Sequence, residues 1–161
     1  MKARKDKAAP LRRIILAIDG SAASAKAQEF VLANFQPGRS TGKGGRVPIP
    51  VSVVHVMARQ PLAPIEFRFK APWIRSEKKV KDAGLRLVRQ SAQQLIQTGF
   101  TAEPVCKVGD PAEEIITVAS SQHADLIVMG ARGLGTLDRV ILGSVSMQVM
   151  QYADCPVLVV R

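Results

Sequence analysis

LIVMGARGLGTLDRVILGSVSMQVMQYADCPVLVVR, residues 126–161, decides the fold. Leu126, Ile127, Val128 and Met129 are consecutively apolar, the pattern of a strand covered on both faces, and Gly130 ends the run. A loop follows in which Gly130, Gly133 and Gly135 fall close together. Gly143-Ser144 then opens a helix, with Ser144 the expected N-cap. Ser146, Val149, Met150 and Ala153 recur at helical spacing and give this helix one inward stripe, and Asp154, Cys155 and Pro156 close it. Pro156–Val160 is a second continuous apolar run. Two such strands joined through one helix form a parallel pair.

The same alternation runs upstream. Residues 12–18 give a first strand, and Asp19-Gly20-Ser21 turns the chain into a helix with Ala23, Ala27, Phe30 and Val31 inward and Ser21 or Ser24 as its cap. Residues 36–50 are rich in Gly, Pro, Lys and Arg and read as a loop. Its GRSTGKGG resembles a Walker A phosphate loop, but the spacing from Gly38 to Gly42 is one residue short and Gly44 stands where Ser or Thr is required. No strand precedes it, so that reading is rejected. Val51–Val56 form the second strand. Pro61, Pro64 and Pro72 make residues 57–73 a connector, at whose end Trp73 is expected to anchor a helix by packing.

Ser76–Gly99 places Val80, Ala83, Leu87, Ser91 and Leu95 on one helical face and Lys78, Lys79, Arg86 and Arg89 elsewhere, with Gly99 as the stop. Thr101–Val108 is a third strand, and Pro104 puts it at a sheet edge. Asp110 then caps a helix with Pro111 in its first turn and Ala112, Ile115, Ile116 and Ala119 inward. The order predicts an α/β chain with a single doubly wound domain over 11–161, after a disordered basic tail at 1–10. Its five-stranded parallel sheet takes the order 3-2-1-4-5, with helices on both faces. In that order strands one and four are neighbours at the switch point, so Asp19 and the Gly130 loop face one crevice.

Glycines at this spacing allow a backbone to approach a phosphate and aim amides at it, and a helix N-terminus adds partial positive charge. The Ser144 hydroxyl and the amides of Val145 and Ser146 would hold phosphate oxygens, with Gly130 and Gly133 letting the loop fold over them. A tight turn also uses glycines in this way, and Asp19 serves equally to stabilise a turn. Arg132 and Arg139 are candidate phosphate contacts, and no activated Ser-His pair or catalytic base is evident. His55 has only His123 for company and reads as structural.

Gly130-x2-Gly133-x9-Gly143-Ser144, continuing to Cys155-Pro156-Val157, closely resembles the ATP-binding signature of the universal stress protein family. Ile14–Ile18 leading into Asp19-Gly20-Ser21, and His55-Val56, resemble two further blocks of that family in the same order, so the resemblance covers roughly residues 12–161. It implies ATP, with Mg, held by Ala17, Asp19, Val56, Met129, Gly130, Arg132, Gly133, Gly143, Ser144, Val145 and Ser146. Val56 would lie beside the adenine and Asp19 near the ribose or a phosphate-bound Mg ion. Members of the family commonly dimerise, and Val157–Arg161, an apolar strand expected at the sheet edge, is the surface for a homodimer.

Composition fits this reading. Hydrophobic residues make up 47% and aromatics 4%, so the core is built from Val, Ile, Leu and Ala. The net charge is +10, but six basic residues against Asp6 in the first thirteen supply half of it. That concentrates the excess in a solvated tail and speaks against a nucleic-acid partner. No apolar run is long enough for a signal h-region or a membrane span. Cys106 and Cys155 form no disulfide framework or CxxC pair, which fits a cytoplasmic protein. The expected function is an ATP-binding regulatory protein. The alternatives are a slow ATPase or adenylate-handling hydrolase, and a nucleotide-free dimeric interaction module.

Overall fold

The computed structural model describes residues 11–35, 37–40, 46–58, 71–133 and 142–161. In chain order they form β1 (Ile14–Ala17), α1 (Ala22–Asn34), β2 (Gly38–Ser40), β3 (Arg46–Pro48), β4 (Pro50–Ala58), α2 (Ala71–Gln97), β5 (Thr101–Gly109), α3 (Pro111–Ser121), β6 (Leu126–Gly130), α4 (Ser144–Tyr152) and β7 (Val157–Val160). The main sheet has the order β5-β4-β1-β6-β7, every pair parallel. Counting its five strands along the chain, this is the expected 3-2-1-4-5.

The continuous apolar runs follow from cover on both faces. Side chains alternate along a strand. Ile14 and Leu16 therefore join Val51, Val53 and Val128 against Ala27 and Val31 of α1 and Val88, Ala92 and Leu95 of α2. Ile15 and Ala17 join Val54, Ile127 and Met129 against Ala112, Ile115, Val118 and Ala119 of α3 and Val149 of α4. Ser21 caps α1, its hydroxyl accepting from the Ser24 amide at 3.1 Å. Asp110 caps α3 by accepting from the amides of Ala112 and Glu113 at 2.9 and 3.1 Å. Gly99, at φ +93°, lets the Phe100 amide reach Leu95 O at 3.0 Å and ends α2.

Several local expectations are corrected. Within 36–50, β2 and β3 pair antiparallel, from Gly38 against Pro48 to Ser40 against Arg46. Strands of three residues are too short to leave a period. The inward stripe of α1 is Ser24, Ala27 and Val31, with Ala23 and Phe30 only half-buried. Ser24 is tolerated there because its hydroxyl donates to Ser21 O at 2.9 Å. On α2 the buried line runs through Gly84, Val88, Ser91, Ala92 and Leu95, leaving Val80 and Ala83 exposed. Gly84 lies so close to β4 and β5 that the helix turns this line inward. Met150 of α4 is exposed, and in α3 Val118 is buried while Ile116 is only half-buried. The expectations for residues 1–10, 59–70, Gly135, Arg139 and the Trp73 side chain lie outside the described part of the structure.

The amino end of the sheet is sealed by polar groups. Asp125 Oδ2 accepts from the amides of Arg12 and Arg13 at 2.7 and 2.9 Å. The Arg13 guanidinium donates to Glu103 at 3.0 Å and to Gln122 at 3.1 Å. Between them the fully buried Ser52 hydroxyl meets Glu103 Oε1 at 2.6 Å and Gln122 Oε1 at 2.5 Å, its one proton serving one acceptor at a time. Both cysteines are free. Burial pushes the Cys106 thiol up, opposed by Lys81, and raises Cys155 with help from Asp154 and Asp125. No helix among the described residues is long and apolar enough to cross a membrane.

At the carboxyl end, Gly130 is where β6 meets α1. A Cβ there would lie 2.6 Å from the Ala23 carbonyl carbon and 2.8 Å from the Ser24 amide nitrogen, backbone atoms that cannot swing aside. Gly130→Ala is therefore expected to destabilise the fold by about 2 kcal/mol, lowering Tm by about 4–8 °C in a thermal melt. An unchanged melt would show that α1 does not pack this closely.

Candidate functional site

The carboxyl ends of β1, β4 and β6 and the N-termini of α1, α3 and α4 converge on one cavity of ≈ 490 Å³. This is where an open parallel sheet offers a crevice. Ala17, Asp19, Val56, Met129, Gly130, Arg132, Gly133, Gly143, Ser144, Val145 and Ser146 all line it. Residues from both ends of the chain thus share one wall because β1 and β6 are hydrogen-bonded neighbours.

Asp19 has two roles there. Its Oδ1 accepts from the Ser21 amide at 3.0 Å, which closes the turn that Gly20 makes at φ +85°. Its Oδ2 lies 2.7 Å from the point where a Cβ on Gly133 would sit, so the carboxylate and the loop after β6 are in contact only because residue 133 is glycine. The Ser21 hydroxyl, besides capping α1, donates to Arg132 O at 3.3 Å. The two loops are tied together across the switch point.

The start of α4 departs from expectation. Gly143, not Ser144, occupies the cap position, at φ −76° and ψ 156°, and brings no side-chain oxygen to the helix amides. Ser144 is the first helical residue. The Gly143 amide donates to Ala131 O at 2.7 Å, and the buried Ser146 hydroxyl lies 2.9 Å from Gly143 O and 3.1 Å from Ala131 O, its one proton serving one acceptor at a time. These bonds fix the helix start against the end of β6. The first intrahelical bond runs from Met147 to Gly143 O at 3.0 Å, so the amides of Ser144, Val145 and Ser146 have no acceptor within the helix. Whereas Ser21 and Asp110 cap α1 and α3 with side chains, this helix presents its partial positive charge to the cavity.

The remaining wall is apolar. Val54, Val56 and Ala58 share one face of β4, and Ala17, Met129, Pro111 and Ile115 complete it. Ile18, Ser24, Val54, Ala58, Pro111 and Ile115 were not singled out from sequence as site residues. For Val54 and Ala58 the signal was present, since they alternate with Val56 on the same strand. For Pro111 and Ile115 it lay in the legible cap at Asp110, which sets that helix start at a strand end. His55 points to the other face, where its Nδ1 donates to Ile18 O at 2.9 Å, a structural bond. Among the described residues no group of three His, Cys, Asp or Glu has a metal-binding arrangement. Asp19 and Arg132 are the only titratable side chains on the described lining. The cavity can therefore hold an anionic group at α4 and a flat apolar group at β4.

Comparison with known proteins agrees with this geometry. The universal stress protein family model matches residues 10–161. A universal stress protein of Thermus aquaticus is 35% identical over 151 residues, covering 93% of this chain and 98% of that protein. In several other curated relatives the matched stretch spans only about half of their length, 58% in a universal stress protein of Bacillus subtilis (strain 168). Among solved structures, MJ0577, a universal stress protein of Methanocaldococcus jannaschii, superposes with a TM-score of 0.77 at 25% identity, covering 93% of this chain and 95% of that one. A family member from Arabidopsis thaliana with AMP bound superposes at 0.60 and 22% identity, covering 92% and 90%. The match along nearly the whole sequence and the shared sheet order lead to one conclusion: the chain belongs to the universal stress protein family.

Proposed function

We propose that this chain is an ATP-binding regulatory protein whose occupancy biases its shape or its choice of partner. The observation that carries the reading is the α4 N-terminus: three amides without an intrahelical acceptor, at a glycine cap, on the wall of a cavity that also holds Asp19. The triphosphate would lie on the amides of Ser144, Val145 and Ser146, with Arg132 beside it and Asp19 toward the ribose or a phosphate-bound Mg ion. The adenine would pack on Val56 and its neighbours on β4. AMP in the Arabidopsis relative supports a nucleotide of this class. Mg would screen the phosphate charge. Asp19 is the one carboxylate on the described lining, with no second carboxylate and no Ser-His pair beside it there, so hydrolysis is expected only at trace turnover.

We further propose a homodimer. β7 is the edge strand, and Val157, Leu158, Val159 and Val160 are each only half-buried. Pro156 O and Val160 O accept from the amides of Ile127 and Ala131 at 3.0 and 2.7 Å, so by alternation the polar backbone of Val159 faces outward. An unpaired apolar edge of this kind is a template for a second strand.

Both readings have direct tests. Mass spectrometry of gently purified, then denatured protein is expected to find ATP, and Gly143→Val to cut its retention at least tenfold by filling the space beside the amides. Gly143→Ala controls for folding, because its Cβ would meet Ala131 O and Arg132 Cα at ordinary distances of 3.5 and 3.6 Å. Equal retention in a folded Gly143→Val would overturn the site. Light scattering at micromolar concentration is expected to give a dimer, and Val159→Pro a folded monomer, since it removes only an outward N–H. A monomeric wild type would refute the edge pairing.

A further inference from the structure

On the face of β4 turned away from the cavity, three soft donors meet under one glycine. His55 and Cys106 are register partners on β4 and β5, and Met57 follows His55 by two residues and so shares its face. A Cβ built on Gly84 of α2 would lie 3.2 Å from Cys106 Sγ, 3.2 Å from Met57 Sδ and 2.9 Å from His55 Cδ2. Both sulfurs are thus 3.2 Å from one point, and the imidazole Cδ2, the ring carbon bonded to Nε2, is 2.9 Å from it. Glycine is a poor helix residue. Here it lets the backbone of α2 come down onto these three side chains.

The imidazole is already oriented. Its Nδ1 donates to Ile18 O at 2.9 Å, so in the neutral ring Nε2 carries the lone pair. A carbonyl bond of this kind fixes the tautomer of ligating histidines in metal sites. Met57 is buried, whereas His55 and Cys106 are half-buried and reachable from solvent. One imidazole, one thiol and one thioether make a set that a hard divalent ion does not favour, and no three His, Cys, Asp or Glu among the described residues form a site for one. Thiolate and thioether sulfur instead select a soft monovalent ion.

We propose that His55 Nε2, Met57 Sδ and Cys106 Sγ form a binding site for Cu(I). On binding, the Cys106 sulfur exchanges its proton, which passes to solvent, for a bond to the metal. The copper enters and stays as Cu(I), so no oxidant or reductant is involved. The site is independent of the nucleotide reading, although both use β4.

The full chain, titrated anaerobically with Cu(I) against the chelator bathocuproine disulfonate, is expected to withhold one equivalent. Met57→Leu and Cys106→Ser should each weaken that binding at least tenfold, and Cys155→Ser should leave it unchanged. X-ray absorption on the wild-type complex, which requires no variant to fold, should show two sulfur neighbours and one nitrogen. A wild type that withholds no copper, undiminished binding in folded Cys106→Ser, loss in folded Cys155→Ser, or a metal shell lacking nitrogen would each overturn the site. Nucleotide retention is read separately and does not bear on these outcomes.

Discussion

Parallel pairing of β1 on both of its edges is the constraint that the rest of the structure obeys. Ile14–Ala17 are buried and hydrogen-bonded to β4 on one side and β6 on the other. A parallel neighbour cannot be reached by a tight turn, so each connection must cross a face of the sheet as a helix. The chain leaves β1 toward β4 through α1, and later returns beyond β1 to β6. At that reversal the connections diverge, and the carboxyl ends of β1 and β6 lie side by side with no crossing segment between them among the described residues. The crevice is a consequence of strand order. What the local residues decide is whether it stays open.

They do so by treating the two ends of the sheet differently. At the amino end, Arg13, Ser52, Glu103, Gln122 and Asp125 satisfy one another, and the buried Ser52 hydroxyl has acceptors on two elements. At the carboxyl end, glycines replace side chains where loops approach. Gly130 lets the first turn of α1 sit against β6, and Gly133 admits the Asp19 carboxylate. The Ser146 hydroxyl anchors the start of α4 through carbonyls, and the first three helix amides have no acceptor within the helix. A side-chain cap at residue 143 would have satisfied one of those amides from within the protein.

The fold was legible because its signals are strong and redundant. Continuous apolar runs, the Asp110-Pro111 start and the Gly99 stop each act through local backbone chemistry that tertiary contacts did not override. The convergence of Asp19 with the Gly130 loop also followed once the strand order was known. Less legible were features set by packing distance. Nothing in the α2 period distinguishes a stripe through Ala83 and Leu87 from one through Gly84 and Val88, since the choice rests on how closely the helix descends at Gly84. Serine is a good N-cap, so the sequence alone points to Ser144. In the folded chain the Gly143 amide bonds to Ala131 O, which places residue 143 at the boundary and moves the serine one position into the helix.

β4 shows how one strand can carry unlike chemistry without conflict. Val54, Val56 and Ala58 face the cavity, while His55 and Met57 face α2. A change on either face is felt on the other chiefly through the backbone, and that backbone is held in register from Pro50 to Ala58 by β5 and over Val51 to Val54 by β1. The His55 ring adds a second link, because its Nδ1 bond ends on Ile18, the residue that joins β1 to the Asp19 turn. The imidazole and the Asp19 turn are therefore joined through the Ile18 carbonyl. The two faces are thus joined by the peptide units of β4 itself and by one side-chain hydrogen bond to the residue before Asp19.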